Sequence, residues 1–71
     1  MLYSTTDIVL AATLKTMGYD LDHIDKFGNK GTFFFAEVDN EVIAKYDLGQ
    51  LMVEPVSFNN AIKALTTAAR R

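Results

Sequence analysis

Gly31-Thr32-Phe33-Phe34-Phe35-Ala36-Glu37-Val38 is the stretch on which the fold turns. Three consecutive phenylalanines, with a glycine turn before them and Asp39-Asn40 after, read as a strand at the centre of a small sheet. Side chains alternate along a strand, so Phe33 and Phe35 share one face and Phe34 takes the other. Upstream, Tyr19 to Phe27 reads as the partner strand. Leu21 and Ile24 are three apart, a spacing that strict alternation cannot put on one face, so a bulge is expected near Asp22-His23. Phe27-Gly28-Asn29-Lys30-Gly31 is turn-rich and joins the two strands as an antiparallel hairpin.

Around this hairpin the chain offers helices. Ser4, Thr5 and Thr6 are candidate N-caps, with Asp7 three residues after Ser4 in capping-box spacing. A first helix is expected from about Thr6 to Met17, with Leu10, Leu14 and Met17 at i, i+4 and i+7, and Gly18 as its stop. Its polar face is thin, since Val9, Ala12 and Thr13 carry no charge. Two readings follow: a well-buried helix, or a dimer contact through Val9 and Ala12. Asp39 is a candidate N-cap for a short helix from about Asn40 to Asp47 with an apolar stripe of Val42, Ile43 and Tyr46, ended by Gly49. Leu51-Met52-Val53 is a candidate third strand. Glu54-Pro55 opens the last helix, where proline's missing N–H costs nothing, and Phe58, Ala61, Ile62, Leu65 and Ala69 form its stripe.

The fold class expected is therefore α+β: helix, β-hairpin, short helix, short strand, long helix, in one domain over residues 1–71. The first and last helices pack on one face of a small antiparallel sheet. The expected core is Leu10, Leu14, Met17, Leu21, Ile24, Phe33, Phe35, Ile43, Tyr46, Val53, Phe58, Ile62 and Leu65.

Composition bounds function. Seventy-one residues with no cysteine leave neither a disulfide nor a thiolate metal site to reinforce a thin margin of stability. A reducing cytoplasm is the compartment this fits. The net charge of −2 disfavours a non-specific hold on nucleic acid or anionic membrane. The longest largely apolar run, Ile8 to Thr13, is too short to cross a bilayer, and no basic stretch marks a signal peptide. Charge is unevenly spread: all nine acids lie in residues 7–54, whereas residues 55–71 hold Lys63, Arg70 and Arg71 and no acid.

Ligand-type side chains gather only in Asp20-Leu21-Asp22-His23-Ile24-Asp25. A flat strand puts Asp20 and Asp22 on one face and His23 and Asp25 on the other, which splits a would-be site; a solvated edge strand whose charges deter pairing is the simpler account. No nucleophile elbow, P-loop or dinucleotide fingerprint occurs. No catalytic residue, metal ligand or cofactor is assigned, and an enzyme is not expected. Phe34 is the residue to watch. On the open sheet face it could stack a base or anchor a protein contact, or the short helix could bury it. Lys63, Arg70 and Arg71 form a basic end that either contacts phosphate or complements the helix dipole.

The ordered run from Tyr46-Asp47-Leu48-Gly49 through Leu51-Met52-Val53-Glu54-Pro55-Val56-Ser57-Phe58 to Lys63-Ala64-Leu65 resembles a family of very short proteins encoded by bacteriophages, prophages and bacteria, a domain of unknown function. The earlier elements match as well: Thr5-Thr6-Asp7, Ala11-Ala12-Thr13-Leu14, Gly18-Tyr19, Leu21, Ile24 and Phe33-x-Phe35. The similarity spans nearly the whole chain, and only the order of all its elements is specific. The chain departs from the pattern in having Glu54 where aspartate is usual and no second base near Lys63. The resemblance implies an α+β fold and a phage or mobile-element origin, and it carries no activity.

Two functional expectations result. The first is a non-catalytic accessory protein in the host cytoplasm that binds another protein or itself as a homodimer, through exposed apolar residues at Phe34, Val9 or Met52. The second is a nucleic-acid-binding module using Phe34, Lys63, Arg70 and Arg71, with Lys15, Lys26, Lys30 or Lys45 completing a basic stripe. A weaker third is a small-ligand sponge at a dimer interface.

Overall fold

The computed structural model describes residues 2–27 and 30–70, without the side chains of residues 27, 30 and 70. In chain order its elements are β1 (Tyr3–Thr5), α1 (Ile8–Thr16), β2 (Leu21–Phe27), β3 (Lys30–Phe35), α2 (Asn40–Asp47) and α3 (Pro55–Arg70). The phenylalanine strand β3 lies in the middle of a three-stranded antiparallel sheet of order β1-β3-β2. Phe33 and Phe35 are 3% and 0% exposed, and they face the helices. The fold class is the α+β arrangement that the sequence predicts.

The bulge also lies where the spacing of Leu21 and Ile24 requires it. Leu21 is opposite Phe35 and His23 is opposite Phe34, so Asp22 is the extra residue. The insertion brings both Leu21 and Ile24 onto the face of Phe35 and Phe33, and both pack against the core. Strand β3 ends at Phe35, paired with Tyr3 and Leu21, rather than at Val38; past it the Ala36 amide donates to the Asp20 carbonyl at 3.3 Å.

The third strand is Tyr3–Thr5, not Leu51–Val53. Once β2 occupies one side of β3 and β1 the other, no edge of the central strand is free for residues 51–53. Tyr3 turns inward beside Phe35 while Ser4 stays exposed, the alternation that an edge strand with one buried face needs. The N-cap role passes to Asp7: its Oδ1 accepts from the Val9 amide at 2.9 Å, and its own amide donates to Thr5 Oγ1 at 3.1 Å.

Helix α1 is buried over Leu10 to Leu14. Ala12, one of the two residues of the dimer reading, lies fully inside, and Val9 is exposed. The buried Thr13 hydroxyl is satisfied by donating to the Val9 carbonyl at 2.8 Å. Ala11 and Ala12 on α1 and Ala61 on α3 belong to the core, and their small side chains let the helices approach closely around Leu14 and Leu65. Met17, expected in the core, is 42% exposed because it is the C-cap of α1, beyond the last turn that faces the sheet. Val53 is half-buried but does not pack against the core cluster.

Both short helices end in the same way. Gly18 and Gly49 have positive φ, 99° and 69°, and in each case the two amides after the helix bond back in a Schellman pattern: Gly18 to Lys15 and Tyr19 to Leu14, Gly49 to Tyr46 and Gln50 to Lys45. Helix α3 is capped by Glu54, whose carboxylate accepts from the Ser57 amide at 2.6 Å. Hydrogen bonds from the amides of Ser57 and Val56 hold this carboxyl below its ordinary pKa. A glutamate at this position thus reaches the first turn as a shorter aspartate would.

Helix α2 buries no residue completely; Val42, Ile43 and Tyr46 lean on the core. Its polar anchor is Asp7. The Tyr46 hydroxyl donates to Asp7 Oδ2 at 2.8 Å, so one carboxylate caps α1 and holds α2. Partial burial, the bond to Asp7 and the negative charges of Asp7 and Asp47 push the Tyr46 phenol up to about 12. The phenol therefore stays protonated in the folded state at pH values where the unfolded chain ionises at its ordinary value of about 10. Its contribution to stability is complete below about pH 10 and is lost as pH rises towards about 12. Tyr46→Phe should lower stability at neutral pH by about 0.5–1 kcal/mol. Urea unfolding at stepped pH should show a shallower loss between pH 10 and 12 in Tyr46→Phe than in the wild type; parallel curves would contradict the assignment.

Candidate functional site

With the helices on one face, the other face of the sheet is open and carries Phe34 at its middle. The cross-strand neighbours of Phe34 are His23 on β2 and Ser4 on β1. The bulge at Asp22 sets His23 directly opposite Phe34, and the two rings stack with centroids 4.4 Å apart and planes 8° from parallel. His23 Nδ1 lies 2.6 Å from Asp22 Oδ2, close enough for the ring N–H to donate to the carboxylate, and Nε2 lies 3.7 Å from Asp25 Oδ2. Phe34 is half-buried, and the stacked histidine is what covers it. Helix α2 turns Val42, Ile43 and Tyr46 to the core instead.

The acidic run of β2 lies on an edge strand. His23 and Asp25 share a face, as flat alternation predicts, but the bulge also brings Asp22 to His23, which flat alternation does not allow. Among the described residues no three His, Asp or Glu side chains converge as metal ligands would. The histidine–phenylalanine stack is absent from the sequence expectations. Its signal was present, since a bulge between Leu21 and His23 shifts His23 into register with Phe34.

The exposed apolar side chains lie elsewhere. Val9, on α1, is 46% exposed. Met52 is 95% exposed, and Leu48 at 71% and Val56 at 64% flank it along the connection between α2 and α3. Leu51 and Val53 are half-buried on either side of Met52. Among the described residues, no backbone group of Leu51, Met52 or Val53 takes part in a hydrogen bond to another backbone group. The connection therefore presents apolar side chains together with unpaired amides and carbonyls.

The basic residues divide. Lys15 lines a shallow groove of about 460 Å³ between α1 and α3 with Thr16, Ser57, Asn60, Ala61 and Ala64. Lys63 lines a neighbouring depression that shares Ala64. Among the described residues no acid lines either of them. Lys45 pairs with Glu41 along α2 at 3.9 Å, and Lys26 sits on the edge strand β2. The side chains of Lys30 and Arg70, and all of Arg71, lie outside the described residues. Phe34 and Lys63 occupy opposite sides of the sheet, so they do not form one continuous surface.

The stack predicts a measurable coupling. His23→Ala and Phe34→Ala should each cost about 1 kcal/mol or less, as cross-strand pairs do. A double-mutant cycle by urea unfolding should return an interaction energy of about 0.5–1 kcal/mol between them. Strict additivity would mean that the rings do not support each other.

Comparison of the chain with family models, with curated proteins and with solved structures finds no match.

Proposed function

We propose that this protein is a small non-catalytic accessory protein of phage or mobile-element origin that works in the cytoplasm by binding another protein or a second copy of itself. The observation that carries the reading is the connection from Leu48 to Val56, where Met52 is almost fully in water. A side chain of this size gains about 1.5–3 kcal/mol when it is fully buried. Nothing in the fold uses that gain at Met52, and the position between Leu48 and Val56 makes it the centre of an apolar segment rather than a lone exposed residue. The unpaired backbone of Leu51–Val53 adds hydrogen-bonding groups that a partner's backbone can satisfy. The resemblance to short phage and prophage proteins supports the proposed origin.

The nucleic-acid reading draws support from one feature, the acid-free depressions lined by Lys15 and Lys63. Against it stand the net charge of −2 and the carboxylates around Phe34, which repel the phosphates of any strand whose bases stack there.

A photo-crosslinking amino acid at position 52, compared with one at the exposed position 59, separates the two readings in cells. The proposal expects position 52 to give a discrete protein adduct, of this chain or another, that survives nuclease and high salt. It also expects Met52→Asp to weaken the association about tenfold or more while folding is preserved, since exposed substitutions change stability by about 0.5 kcal/mol or less. Adducts that vanish with nuclease, or crosslinking from position 52 no stronger than from position 59, would overturn it.

A further inference from the structure

We infer that helix α2 and its two connections, residues 37–53, form a flap that opens as one unit from a core that stays folded, with the Tyr46–Asp7 hydrogen bond as its latch. The inference concerns the free protein and goes beyond the reading of its function.

The first ground is where burial stops. No residue from Ala36 to Asn60 is buried, whereas Phe35 before that stretch and Ala61 after it are 0% and 7% exposed. The buried cluster draws on α1, β3 and α3 and on no residue of the flap. The flap adds partial cover only, through Val38, Val42, Ile43 and Tyr46. A segment that contributes so little to the buried core can leave it without undoing it.

The second ground is how the flap is tied down. Its two ends are pinned. At one, the Ala36 amide donates to the Asp20 carbonyl at 3.3 Å; at the other, Glu54 caps α3. Between these points, among the described residues, no backbone group bonds to a backbone group outside the flap. Two side-chain bonds cross to the rest of the molecule. The Tyr46 hydroxyl donates to Asp7 Oδ2 at 2.8 Å, and the Tyr19 hydroxyl reaches Asp39 Oδ2 at 3.4 Å, a long contact for two oxygens. The shorter bond is the latch.

The third ground is that α2 does not persist alone. It has eight residues, two of them the β-branched Val42 and Ile43, and Asp39 makes no side-chain cap bond to it. An isolated helix of that length is not stable in water, so leaving the core and melting are one event. Opening sets Val42, Ile43 and Tyr46 free beside the already exposed Leu48 and Met52.

The test is native-state amide exchange on the full chain at urea concentrations below the unfolding transition. Lys45, Tyr46, Asp47 and Leu48 should exchange through one common opening, about tenfold or more faster than Phe33 and Phe35 and with a shallower dependence on urea. Ile24→Val, a change on β2 away from the flap, should speed Phe33 and Phe35 about two- to tenfold and leave residues 45–48 unchanged. Tyr46→Phe should speed residues 45–48 about two- to tenfold, because it weakens the closed state. Asp7→Ser keeps an N-cap for α1 but is too short to reach Tyr46, and it should act in the same direction. Residues 45–48 that exchange as slowly as Phe33 and Phe35, an Ile24→Val effect equal at both sets, or latch variants without effect on residues 45–48 would overturn the inference. No partner enters this test. Loss of crosslinking from position 52 would therefore leave the flap standing, and a flap that fails to open would leave the crosslinking result as it is.

Discussion

Everything in this molecule depends on burying Phe33 and Phe35 from the middle strand of a sheet only three strands wide. Aromatic side chains in that position bring the largest apolar area the chain has to offer, and covering them requires two helices on one side and a bonded strand on each edge. Helices α1 and α3 supply the cover with Leu10, Leu14 and Leu65, drawn close by alanines at Ala11, Ala12 and Ala61. Alternation then dictates the rest. If Phe33 and Phe35 face in, Phe34 must face out, where His23 across the ladder stacks on it.

The same economy explains the polar contacts. With a small core, α2 is held as much by Asp7 as by its apolar stripe, because one carboxylate both caps α1 and accepts from Tyr46. The glycines at 18 and 49 end their helices with backbone bonds alone, so each following segment leaves in a defined direction. After Gly49 that direction carries Leu51–Val53 past a sheet whose central strand already has two partners.

Much of the fold was legible in the sequence, for local reasons. Leu21 and Ile24 could share a face only through a bulge, and the glycines and Pro55 mark helix ends through backbone geometry that few other residues satisfy. Helix α2 runs from Asn40 to Asp47, as its stripe and flanking residues predict. What was not legible is non-local. Tyr3-Ser4-Thr5 reads from sequence as a lead and N-cap segment and Leu51-Met52-Val53 as the third strand, yet it is Tyr3–Thr5 that pairs with β3, a contact between residues about thirty apart in the chain. Met17 fits the helical period but falls on the cap. The site divides along the same line. That Phe34 points away from Phe33 and Phe35 follows from alternation, whereas the exposure of Val9, left open between burial and a dimer contact, the stacking of His23 and the isolation of Met52 depend on how the elements pair.

Leu51–Val53 lies outside the sheet and leaves Met52 exposed, the feature on which the proposed binding rests. Amide hydrogen exchange on the isolated protein tests it residue by residue. The expected result is exchange close to that of an unstructured peptide at Leu51, Met52 and Val53, with slow exchange at Phe33, Phe34 and Phe35. Strong protection at 51–53 in the free protein, with rapid exchange at Tyr3–Thr5, would mean that the other segment holds the edge of β3, and the exposed connection would no longer exist.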